Sequence, residues 1–266
     1  MMKKFLLGLA VIWVCNGLLA QEASESTDPG ALSTDRPVQS ETPFTVPKKH
    51  LQFEMGFNYE QGMEHSYNLN TGPNLLIKYG LTDRLELRMI NNYLNLESRY
   101  KSIINQSDSN QTVSGIDAPL FGAKYKLIGA NGGGTNAVIS LSSKVNAWGS
   151  EEFEVPASNL LARVTLGQSF TESWYGIAGF EYGYYDGIDD QMFYVLQTGY
   201  SFSFGLTAII EYYAYSMTSE TKQAINGALV YLINDRHQVD LSGGAGLGDN
   251  FYSHYFSVGY SFRLGL

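Results

Sequence analysis

Twelve charged side chains carry most of the chemical potential of this 266-residue sequence: Glu54, Lys78, Glu86, Arg88, Lys124, Lys126, Lys144, Arg163, Glu181, Glu211, Asp240 and Arg263. Acids and bases are interspersed, which suits mutual pairing or a filter for small solutes. A second candidate is the Ser253–His254 pair, a nucleophile beside a base. Hydrolysis through them needs serine, histidine and a polar orienting group on one face. Only four histidines exist. His50 stands at a junction, His65 in a loop, His237 in a turn, and His254 among Tyr252 and Phe256. In an extended chain Ser253 points away from His254, so catalysis would require a partner from another strand. The other motifs are weaker. "GANGGGT" lacks the lysine of a phosphate loop, and "GGAGLG" has the period of a strand and opens no helix. The acids of "SEEFEVP" and "DGIDD" suit solvated loops better than a divalent cation site. No cofactor or metal set follows, and the chain reads as non-enzymatic.

What positions these groups is an alternation of period two. In "FYSHYFSVGYSFRLGL", Tyr252, His254, Phe256, Val258, Tyr260, Phe262 and Leu264 fall on one face, and Ser253, Tyr255, Ser257, Gly259, Ser261 and Arg263 on the other. In "HLQFEMGFNYE", Leu51, Phe53, Met55, Phe57 and Tyr59 oppose Gln52, Glu54, Gly56 and Asn58. Between them lie strands expected near 68–79, 85–96, 116–127, 136–146, 159–169, 174–184, 191–201, 205–215, 223–233 and 238–247, which makes about twelve. Alternate connections are tight ("GLTD", "TES", "FS", "NDRH"), and several between them are long, notably 97–115 and 147–158. Aromatic residues gather at strand ends, Trp174, Tyr200 and Phe202 near the short turns and Tyr93, Tyr182 and Tyr212 near the long loops.

Short turns at one end, long loops at the other and two aromatic belts describe an outer-membrane barrel with both termini on the periplasmic side. Hydrocarbon offers no partner to an open sheet edge, so the strands must close. The expected fold is a single antiparallel up-and-down transmembrane β-barrel with apolar side chains on lipid and the twelve charged groups inside. A soluble sandwich also alternates, but it would need to bury more large aromatic side chains than a small closed core holds.

Residues 1–20, with Lys3 and Lys4 before the apolar run from Phe5, read as an export signal. The signal takes Cys15 and both lysines with it, so 17 basic residues become 15 against 26 acidic and the mature net charge is −11. That balance excludes nucleic acid as a partner. The expected partners are outer-membrane lipid and lipopolysaccharide, the barrel-assembly machinery and an unidentified small solute. Residues 21–49, polar and proline-rich, form an arm ahead of the barrel at 50–266. Two roles stay open for it. Asp35, Arg36 and Pro37 can enter the lumen as a plug, docked on opposite charges with Gly244 and Gly246 leaving room, or the arm is a tail that binds a partner.

The stretch "TDRPVQSETPFTVPKKHLQFEMGFNYE" at 34–60, with "YGLTDRLEL" at 79–87, "GAKYKL" at 122–127 and "YLINDRHQVDLSGGAGL" at 231–247, resembles a family of outer-membrane barrels, the MetA-pathway of phenol degradation proteins. The resemblance covers essentially the whole mature chain and implies passive transport of small, including aromatic, compounds. Lys49 stands where the family places a glycine after "VPK", which implies a looser turn into the first strand. Two rival functions are a structural or adhesive barrel with a sealed interior and an outer-membrane lipid hydrolase.

Overall fold

The computed structural model describes residues 30–63, 66–101, 108–129, 134–156, 158–218, 220–248 and 251–266. The export signal, residues 21–29 of the arm and His65 lie outside the described residues. Thirteen strands follow the arm: β1 His50–Gly62, β2 Tyr67–Gly80, β3 Leu85–Lys101, β4 Asp108–Ile116, β5 Leu120–Ile128, β6 Thr135–Lys144, β7 Asn159–Ser169, β8 Trp174–Tyr185, β9 Gln191–Ser201, β10 Leu206–Ser216, β11 Thr221–Asn234, β12 His237–Leu247 and β13 Tyr252–Gly265. Each pairs antiparallel with the next in the chain, except that β5 pairs with β3 and not with β4. The first strand also pairs with the last, Gln52 opposite Arg263 and Glu54 opposite Ser261, so the sheet closes. The ring holds twelve strands, because β4 sits outside it as an extension.

That extension departs from the single strand expected at 116–127. β3 is long enough to pair with β5 through Leu85–Ile90 and with β4 through Tyr93–Lys101. Between β4 and β5 the chain breaks at Asp117–Pro119. Pro119 has no N–H to give a ladder, and the Asp117 N–H is spent on the Asn92 carbonyl at 2.9 Å. Much of the expected loop 97–115 is therefore a hairpin standing above the ring. Its outer edge is covered at one point by the loop after β6, where Ser150 exchanges bonds with Ile116 through its N–H (2.8 Å) and its Oγ (2.9 Å).

The two faces sort by chemistry. Phe256 is 50% exposed and Leu241 45%, while Glu54 and Lys78 between such positions are 0%. The large apolar side chains are on the outside and the ionisable ones inside. At the short-turn end the outer ring includes Phe170 against Trp174 (4.8 Å between centroids) and Tyr200 against Phe202 (5.1 Å), the placement expected of rings at a membrane interface.

Alternation fails in two places. Ser253 is an extra residue, since Gln61 faces His254 and the next residue, Gly62, already faces Tyr252. A bulge shifts side chains beyond it to the other face. Tyr252, expected on lipid, is therefore inside, its hydroxyl 2.7 Å from that of Tyr213. The second exception is β9 to β11, where inward positions are apolar as well. Phe193, Val195, Tyr213, Ala224 and Tyr252 form one interior cluster near the long loops, and Ile209, Ala228 and Val230 form another on which Val38 of the arm packs.

Candidate functional site: the ion-paired arm inside the barrel

Residues 32–47 lie inside the barrel, with Gly30, Ala31, Lys48 and Lys49 exposed at the two ends. The arm has almost no regular structure, so its backbone N–H groups need partners that a ladder would otherwise provide. The inward carboxylates supply them. Glu54 accepts from the amides of Asp35 (2.9 Å) and Arg36 (3.0 Å). Glu211 accepts from those of Gln39 (2.9 Å) and Ser40 (2.8 Å), and Glu86 from that of Val46 (2.9 Å). These are charge-assisted bonds in a setting shielded from water, the stronger class.

The arm is itself folded into a loop. The hydroxyls of Ser33 and Thr42 are 2.6 Å apart, and the Thr42 amide donates to Asp35 at 2.8 Å. The loop so closed carries Asp35, Arg36 and Glu41 across the barrel. Asp35 meets three cations, Lys124 at 3.3 Å, Lys78 at 3.5 Å and Arg88 in direct contact. Glu41 meets Arg88 at 2.8 Å, Lys124 at 3.5 Å and Arg163 at 3.8 Å. Glu54 completes the group by pairing with Lys78 at 2.5 Å, and Glu181 binds Arg163 at 2.8 Å. Burial opposes the ionisation of Asp35, but Lys124, Lys78 and Arg88 outweigh it and hold the carboxyl well below its ordinary range. For Glu41 the same burial is overcome by Arg88, Lys124 and Arg163, which lower it from 4.5 to about 2.

Arg36 points the other way, to Asp240 at 3.2 Å, Ser257 Oγ at 2.8 Å and the Val258 carbonyl at 3.1 Å. Its guanidinium fills a slot between two glycines that face each other across β1 and β13, Gly56 and Gly259. A Cβ on either would come within 2.4 Å or 2.3 Å of the guanidinium. These glycines make the space, together with Gly167, where a Cβ would meet Pro43 at 2.4 Å. Gly244 and Gly246, expected in that role, face Asn226 and Tyr252 instead. Pro37 contributes its carbonyl to Ser242 Oγ at 3.0 Å.

Of the twelve charged residues, Arg263 reaches the Gly30 carbonyl where the described arm begins. Glu181, Lys144 and Lys126 make no ion pair or side-chain hydrogen bond with the described arm. Lys144 binds Asp117 at 3.0 Å near the break between β4 and β5, and Lys126 lies beside the turn before β3, its amide on the Arg84 carbonyl at 2.8 Å. Glu41, Asp117 and Gln197, which contacts Ser40, are parts of the interior that alternation did not single out. Glu41 carries the one available signal, an acid in the arm six residues after Asp35.

Among the described residues the arm has a cavity on each side. One, of about 350 Å3, is bounded by Glu60, Glu181, Arg163 and Tyr213 toward the long loops. The other, of about 310 Å3, is bounded by Phe44, Tyr175, Thr171 and Gln238 toward the short turns. Arg36, Val38 and Ser40 border both, so this stretch is the partition.

The Ser253–His254 pair is closer than strict alternation allows, Oγ to Nδ1 3.3 Å, because of the bulge. The ring is on the outer face with Tyr59 as its neighbour at 6.3 Å. Among the described residues no carboxylate binds it. Also among the described residues, no group of three histidines, cysteines or acids is placed to hold a metal.

A closed barrel with polar groups inside, apolar groups outside and a loop folded into its lumen is the build of an outer-membrane barrel, and the comparisons agree on the fold. Residues 34–264 match the family described as "Putative MetA-pathway of phenol degradation". The chain belongs to this family of outer-membrane barrels. Its fold is similar to the crystal structure of an outer membrane channel from Pseudomonas putida F1 (TM-score 0.63, 11% identity, 91% of this chain and 100% of that one). It is also similar to the NanC porin (TM-score 0.55, 11% identity, 80% and 100%) and the KdgM porin (TM-score 0.54, 12% identity, 79% and 98%). Among curated proteins, none matches the chain in sequence.

Proposed function

We propose that this protein is an outer-membrane channel that passes a small solute without covalent chemistry, and that residues 30–49 are an interior plug setting the width and charge of the path. The observation that carries the reading is the partition: the arm separates two cavities, held by ionic and hydrogen bonds that exchange with water once the arm withdraws. Twelve strands leave a lumen between the filled interior of eight-stranded barrels and the open channel of sixteen-stranded porins, so an unstructured segment suffices to narrow it. The family's description favours small aromatic solutes. The interior apolar cluster around Phe193 and Tyr213 fits them, and the outer apolar face fits residence in the outer membrane.

Planar-bilayer conductance of the refolded mature protein, with and without residues 21–49, tests this. The shortened barrel is expected to conduct several-fold better than the full chain. If neither form conducts, the barrel is a sealed structural or adhesive one and the proposal is wrong.

A further inference from the structure

Glu60 stands apart from the other interior acids, each of which binds a cation or, for Glu86 and Glu211, backbone amides of the arm. It projects from β1 into the loop-side cavity, and no described lysine, arginine or histidine comes within ion-pair distance of it. One carboxylate oxygen accepts from the Tyr67 hydroxyl at 2.7 Å. Directly across the strand pair stands Tyr255, and cross-strand neighbours of this kind sit about 5 Å apart at Cβ. Tyr255 packs edge-on against Tyr252 (5.6 Å between centroids), and Tyr252 bonds to Tyr213, which also borders the cavity. The phenol hydroxyls are engaged with the wall, Tyr255 on Ser242 Oγ at 3.4 Å and Tyr213 on Tyr252. At the Glu60 end a solute meets aromatic carbon of Tyr255 beside one carboxylate, in a cavity also lined by Asn58, Thr71, Asn74 and three arginines.

The cationic side chains of the same cavity are already committed. Arg36 is paired with Asp240, Arg88 with Glu41 and Asp35, and Arg163 with Glu181 and Glu41, and the Arg163 guanidinium lies 4.7 Å over the Phe193 ring. A carboxylate solute would have to break one of these pairs and approach Glu60 as well. A positively charged solute meets a carboxylate that no described cation pairs with and tyrosine rings beside it, the combination that binds ammonium groups through charge and ring quadrupole together.

We propose that the loop-side cavity contains a subsite for a small organic cation, an amine or quaternary ammonium carrying an apolar group, with Glu60 as counter-charge and Tyr213 and Tyr255 as its aromatic wall. The inference rests on the channel reading for the route by which the solute arrives, and its test is separate from conduction.

Binding of benzyltrimethylammonium, benzyl alcohol and benzoate to the refolded full chain in zwitterionic detergent, followed by calorimetry at low salt, decides it. The cation is expected to bind about tenfold or more tighter than the neutral and anionic probes, a difference of about 1.4 kcal/mol. Glu60→Gln is expected to lose most of that preference, Tyr255→Leu to weaken the cation several-fold, and Tyr255→Phe to retain it. Equal or better binding of benzyl alcohol or benzoate, or unchanged cation binding in a folded Glu60→Gln, would overturn the subsite. Should the variants not refold, the order of the three probes on the unmodified protein decides alone. A barrel that prefers the cation yet conducts in neither full nor shortened form would overturn the channel reading and leave the subsite standing. Conduction without cation preference would do the reverse.

Discussion

The guanidinium of Arg36 lies 3.2 Å from the carboxylate of Asp240, at a sequence separation of 204 residues. Both side chains are nearly excluded from solvent, Asp240 completely. Breaking one partner of a buried pair costs about 3–5 kcal/mol because the other charge is stranded. The pair exists only because the facing glycines Gly56 and Gly259 leave a slot one guanidinium thick.

Gly56→Ala therefore acts on the arm and not on the ring. Its Cβ would occupy the space of the Arg36 guanidinium, push it off Asp240 and loosen the arm from residue 36 onward. Chymotryptic cleavage after Phe44, which requires the arm to leave the lumen, is expected to speed up at least about tenfold. Gly227→Ala is the control, since nothing lies within 4 Å of a Cβ there. Cleavage at the same rate in both variants would show that the slot does not hold the arm.

Acid is expected to release the arm. The docked carboxyl of Glu41 is lowered from 4.5 to about 2 and that of Asp35 also falls well below its ordinary value. A group whose pKa is depressed on docking stabilises the docked form above its free pKa, and that stabilisation drains away as pH falls through the docked one. Docking should thus be constant above about pH 5, weaken below 4.5 and be lost near 2. The mobility of a spin label attached to a cysteine placed at Val38, read at each pH, would rise across that window. In Glu41→Gln the low-pH rise should begin from a looser arm and span a smaller change.

Much of the barrel was legible because a two-residue period in a long exported chain has few physical readings. Phe256, Leu241 and Glu54 sit on the faces that alternation assigns them. The rest depended on single residues that carry little pattern. Ser253 inserts one position and turns Tyr252 inward, and Pro119 splits one strand into two. The Gly56–Gly259 pair was invisible because register is needed to bring them together, whereas Gly244 and Gly246 were conspicuous in sequence and have another neighbourhood. Asp35 and Arg36 announced themselves as opposite charges flanked by proline. Glu41 did not, since its three partners come from β3, β5 and β7.

Lys49 tests how the arm joins the ring. Its φ of 60° is in the left-handed region, where a side chain costs about 1–2 kcal/mol and glycine costs little. The turn is not loose, however: the Lys49 amide donates to the Gly80 carbonyl and its carbonyl accepts from the Leu266 amide, both at 2.8 Å. Lys49→Gly is expected to stabilise the folded barrel by about 0.5–1 kcal/mol after the added entropy of the unfolded chain is subtracted. Lys49→Val should destabilise it by more than that, because a β-branched residue tolerates this conformation worst. Urea unfolding in lipid vesicles, followed by tryptophan fluorescence, measures both.

Asp35 and Lys124 are predicted to be energetically coupled. Asp35→Asn keeps the shape of the side chain and its bond from the Thr42 amide but removes the negative charge facing Lys78, Arg88 and Lys124. Docking of the arm should weaken by about 3–5 kcal/mol, the cost of leaving buried charge uncompensated. Lys124→Met, which keeps the length of the stem, leaves Asp35 and Glu41 with their remaining cations, so its cost should be lower. In the double variant one surplus positive charge has gone along with the negative one, and the loss should fall short of the sum of the single losses by about 1–3 kcal/mol. Rates of chymotryptic cleavage after Phe44 in all four proteins give the cycle directly. Strict additivity would mean that the arm is held by its backbone bonds to Glu54, Glu211 and Glu86, with the ion pairs contributing nothing specific.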